Sequence, residues 1–393
     1  MKKILLLAAL TLLLAAVAVS AADYLEPPLV PLSPSIMAQG GSAVATADGY
    51  DSFFYNPAGF SRSKRELVIP GATVWVYSRP DSLWTFGMNT LKGTAVPSDT
   101  IGLISSQVTA GGFGAGASVG IGYVGDGLGL GMVLMADSLL RGPTLLGLSG
   151  TVTATLGFIG GLSFPLELGS KAKIHLGVDI RPMLRFRVPL TNSDSLSLIM
   201  AFASGGDLFD ALNSASVLYG VGIGLDAGAI AELGPLLVGI SLRDVGGTRF
   251  QYRTDSMSTL MSTLGTLGRL PTGSTVTDTY RIPMDVSVGI AFYPNLGSFG
   301  KILDPSFQVD CQDIVGVIRD GRSPWSMLHA GVELKLLKFF SLRAGLDQGY
   351  LTFGGGLKLF FLDLNAAVFT RELGANLGDI PNAGATVELA LRF

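Results

Sequence analysis

The stretch 172–188, AKIHLGVDIRPMLRFRV, alternates apolar and polar side chains over most of its length. Successive side chains of a β-strand point to opposite faces, so the two sets lie on two sides of a sheet. A buried strand of a water-soluble protein could not hold several cations on its inner face without partners. A barrel strand that spans a membrane can, because that face looks into a wet or plugged lumen. We expect Ile174, Leu176, Val178, Ile180, Leu184, Phe186 and Val188 to face lipid, and Lys173, His175, Asp179, Arg181, Arg185 and Arg187 to face inward.

The same alternation recurs along the chain and predicts a series of antiparallel strands. With one further strand within 66–91, where 66–77 and 84–91 compete, and one after the predicted turn at Gly125-Asp126-Gly127, the count reaches about 14, an even number as in single-chain bacterial barrels. The fold class predicted is all-β, a transmembrane antiparallel β-barrel. The alternating segments are 113–124, 150–158, 172–188, 217–228, 236–243, 284–292, 307–312, 328–336, 340–347, 351–359, 362–371 and 387–393.

Composition agrees with a barrel and excludes several other classes. Charged residues make up only 15% of the chain, the mean hydropathy is +0.48, and no window after residue 22 approaches the ~20 apolar residues of a membrane helix. Cys311 is the only cysteine, so an internal disulfide and a cysteine-based metal site are excluded. The net charge of −3 argues against nucleic acid as a partner.

The two ends of the chain carry export signals. Residues 1–22 combine a basic start, an apolar run and small residues, which predicts a cleaved signal peptide rather than a membrane anchor. The last strand ends at Phe393, which resembles the signal read by the outer-membrane insertion machinery. We therefore expect a bacterial outer-membrane protein, with the barrel spanning 66–393.

Residues 23–65 do not alternate, and we predict that they form an N-terminal hatch. A closed barrel offers this segment no free edge within the membrane, and its prolines, glycines and small residues suit a compact plug in the lumen. Its Gly41–Asp48 run and its Asn56-Pro57-Ala58-Gly59 motif resemble the FadL family of outer-membrane transporters for hydrophobic compounds. That resemblance implies a hatch inside a 14-stranded barrel, with these hatch residues: Gly41, Ala43, Asp48, Asn56, Pro57, Ala58, Gly59 and Phe60.

Two long outside loops, 189–216 and 245–283, carry apolar runs. The family resemblance implies that loops at these places form a shallow groove that captures substrate first. Methionine and leucine suit such a role because they repack around different apolar ligands. The alternative is that the loops only bury these side chains against each other, and the two interpretations can coexist. The candidate capture residues are Leu196, Leu198, Ile199, Met200, Phe202, Met257, Leu260, Met261 and Leu264.

The sequence offers little for catalysis or metal binding. His175 and His329 are the only histidines, and neither has a His or Cys nearby in sequence, so both are expected to line the lumen. His329 lies near the outer end of its strand, which leaves a site at the rim open. Inward charges of both signs are expected to pair with the hatch and across strands, since a selectivity ring would show one sign. No enzyme activity, cofactor or metal is predicted.

The resulting functional hypothesis is a monomeric barrel in outer-membrane lipid that passes fatty acid-like or aromatic hydrophobic small molecules. The route would run from the outer loops to a pocket against the hatch, followed by hatch movement and escape. Two alternatives stay open. One is a general porin, which would show a large conductance. The other is a structural or secretion-associated barrel, like the PorV-like shuttles, which would copurify with a protein partner.

Overall fold

The computed structural model describes residues 23–393 apart from 80, 81, 83, 84, 86, 87, 90, 91, 94–96, 145, 146, 170 and 171. The predicted signal peptide, 1–22, lies outside the described residues. The strands are β1 Asp23–Leu25, β2 Glu66–Tyr77, β3 Gly114–Gly125, β4 Leu128–Arg141, β5 Ser149–Glu167, β6 Ala172–Leu190, β7 Ser216–Leu233, β8 Leu236–Arg243, β9 Thr248–Ser256, β10 Ser274–Thr275, β11 Thr279–Ile282, β12 Asp285–Phe292, β13 Leu303–Cys311, β14 Leu328–Leu336, β15 Phe340–Asp347, β16 Tyr350–Leu359, β17 Leu362–Glu372 and β18 Pro381–Arg392.

Fourteen of these strands form a closed antiparallel ring, β2 to β8 followed by β12 to β18. Pairing of β18 with β2 closes the ring, with Val387 opposite Val74. Closure satisfies the backbone of every strand without leaving a sheet edge. The predicted fold class is therefore confirmed, and β2, Glu66–Tyr77, is the first strand of the ring. The competing segment 84–91 lies partly outside the described residues.

The segment 245–283 is not simply a loop, and this part of the sequence prediction is wrong. After a break at Asp244–Gly247, β9 continues the direction of β8. It pairs with the first residues of β7, Ser216–Val221. Strands β10 and β11 likewise extend β12 and pair with β9. The pattern in β9 is inverted, because Phe250 and Tyr252 are buried while Arg249 and Gln251 are exposed. A search for apolar residues on the outer face therefore misses this strand.

Within the ring, apolar side chains point outward as predicted. Val178, Ile223 and Leu351 are 57%, 62% and 68% exposed, whereas Asp179 and Arg181 are buried. Val188 is an exception, because it is buried in a cluster with Ile199 and Leu260 from the loops. The alternation of the strand points the Val188 side chain outward, but helices from the long connections cover this end of the strand.

The two ends of the barrel differ. Tight turns at one end, here the turn end, join β3 to β4, β7 to β8, β14 to β15 and β16 to β17. Most of the longer connections are at the opposite loop end, where only β15 and β16 among the described strands are joined by a tight turn. Among the described residues, no helix has both the length and the apolar character needed to cross a membrane. The helices are α1 Pro34–Met37, α2 Ser52–Tyr55, α3 Gly59–Arg62, α4 Pro97–Ala110, α5 Asn192–Ser204, α6 Leu208–Ala211, α7 Met257–Leu267 and α8 Ile314–Asp320.

Candidate functional site

Residues 23–65, the predicted hatch, run through the lumen from one end of the barrel to the other. This segment starts at the loop end, where Asp23–Leu25 pairs in parallel with Thr279–Arg281 of β11. It finishes at the turn end, where Glu66 of β2 pairs with Val124 just before the β3–β4 turn. Its aromatic side chains, among them Phe53 and Phe60, are buried in the central hydrophobic cluster of the barrel.

Inward glycines leave the space that the hatch occupies. A Cβ atom on Gly228 would lie 1.9 Å from Oδ1 of Asn56, and one on Gly177 would lie 2.3 Å from the carbonyl carbon of Pro57. Both separations are far below van der Waals contact, so neither position accepts a side chain without displacing the hatch. The glycines that interrupt the polar face of the strands are thus packing positions.

Asn56 connects two parts of the hatch with the wall. Its Nδ2 donates to the carbonyl oxygens of Val44 (2.9 Å) and Ile240 (3.2 Å), and its Oδ1 accepts from the backbone N–H of Ala58 (3.1 Å). The side chain is fully buried, as is that of Phe60. A buried amide with these partners fixes the local chain path, since leaving them unpaired would be costly.

The small-residue run of the hatch is held by polar side chains of β13 and its end. The Asp310 carboxylate accepts from the backbone N–H groups of Ala43 (2.7 Å) and Val44 (2.9 Å). The carbonyl oxygen of Gly41 accepts from Nε2 of Gln312 at 2.8 Å. Small residues matter here because the backbone itself must approach the wall.

The remaining two hatch residues named from the sequence behave differently from each other. A Cβ on Gly59 would lie 2.6 Å from the carbonyl oxygen of Ala47, so this glycine allows close packing within the hatch. The Asp48 side chain is 68% exposed, and its Oδ2 lies 3.7 Å from Nη1 of Arg62. Asp48 therefore makes a weak surface ion pair rather than a buried contact.

A further set of contacts, here called the clip, holds residues 38–41 against the three neighbouring strands β14, β15 and β16. Thr352 Oγ1 donates to the carbonyl oxygen of Ala38 and accepts from the N–H of Gly40, both at 3.1 Å. Nδ1 of His329 lies 2.7 Å from the carbonyl oxygen of Gly40 and 3.1 Å from Oδ1 of Asp347. Gly40 has a φ of +68° and no room for a Cβ atom. Both histidines are buried in the lumen, as predicted, and His329 positions the hatch.

Two cavities lie on the loop side of this clip. The vestibule at the mouth has a volume of about 800 Å³, and the inner cavity behind it has about 310 Å³. They share Pro27, Asp137, Thr153 and Arg371, so they are adjacent. Much of the inner cavity is apolar, and its nonpolar and aromatic lining includes Val30, Leu32, Met37, Trp75, Tyr77 and Met135.

A third cavity, also about 310 Å³, lies on the turn side of the hatch. Its lining is mainly polar and includes Gln308, Glu333, Lys335, Arg343, Asp363 and Arg392. The inner cavity touches Met37 and Gly41, whereas this turn-side cavity touches Ile36, Gln39, Ser42 and Ala43. Residues 36–43 of the hatch therefore separate the two cavities.

The inward charges are paired, as the mixed signs predicted. Arg181 of β6 pairs with Asp226 of the adjacent strand β7, and Arg243 of β8 pairs with Asp285 of the adjacent strand β12. Nε of Arg343 lies 2.8 Å from the Glu333 carboxylate. These pairs satisfy buried charges rather than form a ring of one sign.

One acidic residue at the rim of the inner cavity has a shifted pKa. Asp313 lies in the loop after β13, where its carboxylate pairs with Arg322. Burial and the nearby carboxylate of Asp285 raise the pKa of Asp313 from its ordinary value. The rim therefore carries a carboxylate whose charge is stabilised mainly by one arginine.

Sequence reasoning missed Glu26, which is buried and lies between two arginines of β6. Its carboxylate is 3.2 Å from Nη1 of Arg185 and 3.1 Å from Nη1 of Arg187. The available signal was a single carboxylate within the otherwise uncharged stretch 24–38. A lone buried charge needs a partner, and the inward arginines of β6 are the cations that supply it.

The predicted capture residues are divided between packing and exposure. Ile199, Met257 and Leu260 are buried in the loop cluster, while Met200 (57%), Met261 (47%) and Leu264 (36%) are exposed. Leu196 and Leu198 are half-buried, and the side chain of Phe202 lies outside what the structure describes. The loops do pack together, and an exposed apolar set remains on helices α5 and α7.

A serine, a histidine and a glutamate lie close together at the turn end. Ser61 Oγ is 2.8 Å from Nδ1 of His175, whose Nε2 is 3.7 Å from Oε1 of Glu232. The second distance is longer than a hydrogen bond. Glu232 is instead closer to Arg62 of the hatch, at 3.2 Å. No group of three or more potential metal ligands occurs among the described residues.

The chain resembles several solved barrels in overall structure. It is similar to the Pseudomonas putida toluene transporter TodX (14% identity, 91% of this chain and 97% of that chain, TM-score 0.46) and to the monoaromatic hydrocarbon channel CymD (12%, 93% and 97%, 0.48). It is also similar to a Pseudomonas aeruginosa FadL homologue (12%, 95% and 99%, 0.41). No protein-family model and no curated protein matches the sequence.

Proposed function

We propose that the protein is an outer-membrane channel for the passive, non-enzymatic passage of hydrophobic small molecules. The observation that carries this proposal is the pair of cavities on either side of hatch residues 36–43. An apolar cavity that is connected to the mouth and blocked by a plug is suited to a greasy solute, because pockets for such ligands are concave and mostly apolar.

The outer surface supports the proposed membrane location. Its apolar belt is bounded at the turn end by exposed aromatic side chains, including Phe339, Phe360, Phe361 and Phe393. Aromatic girdles of this kind flank the lipid-facing band of outer-membrane barrels. We therefore place the turn end in the periplasm and the loops outside, with the barrel acting as a monomer that is inserted through its C-terminal strand.

The proposed path begins at the apolar side chains of α5 and α7 and continues through the vestibule into the inner cavity. Passage then requires residues 36–43 to move, because they separate the inner cavity from the turn-side cavity. The contacts that resist this movement are hydrogen bonds that Thr352, His329 and Gln312 donate to the hatch and that the Asp310 carboxylate accepts from it. A handful of such bonds can hold a closed state and still be broken thermally, since each contributes about 1 kcal/mol net.

A reversible crosslink tests the proposal. In a Cys311→Ser background, Gln39→Cys and Gln308→Cys place two thiols on side chains that touch, because Nε2 of Gln308 donates to Oε1 of Gln39 at 3.1 Å. Both positions line the turn-side cavity, so a short bis-methanethiosulfonate reagent can reach them and join residue 39 of the hatch to β13. We expect this crosslink to stop uptake of radiolabelled toluene or oleate into proteoliposomes and reduction to restore it. Each single-cysteine variant is the control.

Three results would contradict the proposal. Unchanged uptake in the crosslinked double variant would mean that the hatch does not gate the path. A large single-channel conductance in the unmodified protein would indicate a water-filled porin. Copurification of a protein partner would favour the secretion-associated alternative instead.

A further inference from the structure

The two arginines that bind Glu26 form a carboxylate site inside the lumen. Arg185 is fully buried, donates through Nε to Thr155 (2.9 Å), and stacks over Phe250 with its guanidinium carbon 4.7 Å from the ring centre. Its Nη2 atom has no hydrogen-bond partner among the described residues. A planar guanidinium held by packing on an aromatic ring is suited to binding a carboxylate.

Arg187 is the part of this site that can be reached from the vestibule. Its side chain is 18% exposed and lines the vestibule, together with Leu25, Pro27 and Leu139. The guanidinium carbon also lies 5.8 Å from the ring centre of Tyr280. A molecule that enters the mouth therefore meets a cation with apolar walls on its sides.

Glu26 belongs to the plug rather than to the wall. Its carboxylate bridges Arg185 and Arg187 while its backbone N–H donates to the carbonyl oxygen of Arg281 at 2.8 Å. The next residue, Pro27, accepts from Nη1 of Arg185 at 2.8 Å. The start of the hatch is therefore fastened by a carboxylate that another carboxylate could replace.

We propose that Arg185 and Arg187 bind the carboxylate of an anionic amphiphile, and that Glu26 occupies this site in the resting structure. This inference rests on the proposed transport function and selects fatty acid-like molecules among its substrates. When the ligand carboxylate replaces that of Glu26, both arginines keep a counter-charge and Glu26 moves into the water of the vestibule. An uncharged hydrophobic molecule cannot replace the Glu26 carboxylate. If it displaced Glu26, both buried arginines would be left without a counter-charge, which is strongly unfavourable.

Ligands with the same tail and different heads test the site. Binding of radiolabelled oleate and oleyl alcohol is measured on the purified full chain in a neutral detergent. We expect Glu26→Gln to tighten oleate binding about tenfold, the factor that one charge-assisted hydrogen bond is worth. Arg187→Gln should weaken oleate binding by a similar factor. Neither change should alter binding of the alcohol, and Arg65→Gln, which changes an exposed arginine paired with Asp126 at the turn end, is the control.

Hydrogen exchange supplies a second measurement that does not depend on affinity. Oleate should speed exchange of the backbone amides of residues 24–32, because displacement of Glu26 releases this segment, whereas oleyl alcohol should not. Equal effects of both ligands, or an oleate-to-alcohol affinity ratio unchanged by Glu26→Gln and Arg187→Gln, would overturn the site while leaving transport intact. If neither ligand binds any variant, the proposed function and this inference both fail.

Discussion

Gly228 of β7 and Asn56 of the hatch are so close that a single added carbon would collide with the asparagine, at 1.9 Å from its Oδ1 atom. Asn56 is itself held by hydrogen bonds to Val44 and Ile240, so it cannot withdraw without breaking them. Plug and wall are therefore in direct contact at this point, with no room for a side chain between them. The hatch is part of the hydrophobic core of this barrel.

The first prediction follows from that contact. Gly228→Ala should lower the free energy of unfolding by about 1–3 kcal/mol, the usual cost of overpacking a well-packed core. Urea unfolding in detergent measures the change. Gly160→Ala is the matched control in the same kind of strand, because its Cβ would meet only Leu130 at 3.8 Å. Equal destabilisation by the two alanines would show that the hatch contact is unimportant.

The second prediction concerns the clip at His329. Replacing His329 by Leu removes the donor to Gly40 and leaves the buried Asp347 carboxylate less well paired, which should cost about 1–3 kcal/mol. We also expect more frequent brief openings in single-channel recordings, because residues 38–41 lose one of their anchors. His329→Gln keeps a donor and should partly restore the closed behaviour. A recording as quiet as that of the unmodified protein would contradict the gating role.

The third prediction concerns the buried ion pair between Arg181 and Asp226, whose side chains are at most 1% exposed. Arg181→Met should destabilise the barrel by about 3–5 kcal/mol, because it leaves a buried carboxylate without its partner. Lys335→Met is the comparison, since its side chain is 48% exposed and its pair with Glu333 should contribute only about 0–1 kcal/mol. Thermal unfolding in detergent distinguishes the two, and similar losses would refute the distinction.

The fourth prediction separates capture from packing in the loops. Met200→Ala with Met261→Ala changes exposed side chains, so we expect unchanged stability and slower uptake of hydrophobic solutes at low concentration. Leu260→Ala changes a buried one and should loosen the loop cluster, with a cost of about 2–5 kcal/mol if the site cannot collapse. Proteolysis of the loops reports the second effect. Normal uptake by the double methionine variant would leave packing as the sole role.

Much of the barrel could be predicted because its rule is local. The faces of β6 are set by residue parity alone, so Val178 faces out and Asp179 faces in whatever the rest of the chain does. The rule fails where the surroundings change. In β9, Phe250 and Tyr252 turn inward while Arg249 turns out, since the strand there has passed beyond the apolar belt and its outer face is polar. Val188 is buried because loop helices, which parity does not register, cover it.

By itself, the sequence determined the alternation that closes the sheet, the non-alternating segment that fills it, and the inward set of charges and glycines. Only the tertiary structure decided which of these groups meet. Glu26 and Arg185 are 159 positions apart, and Asn56 and Ile240 are 184 apart. Strand periodicity predicts whether a side chain points into the lumen or outward. It does not predict which residue of the N-terminal segment that side chain will contact. That contact follows from how the plug packs into the closed wall.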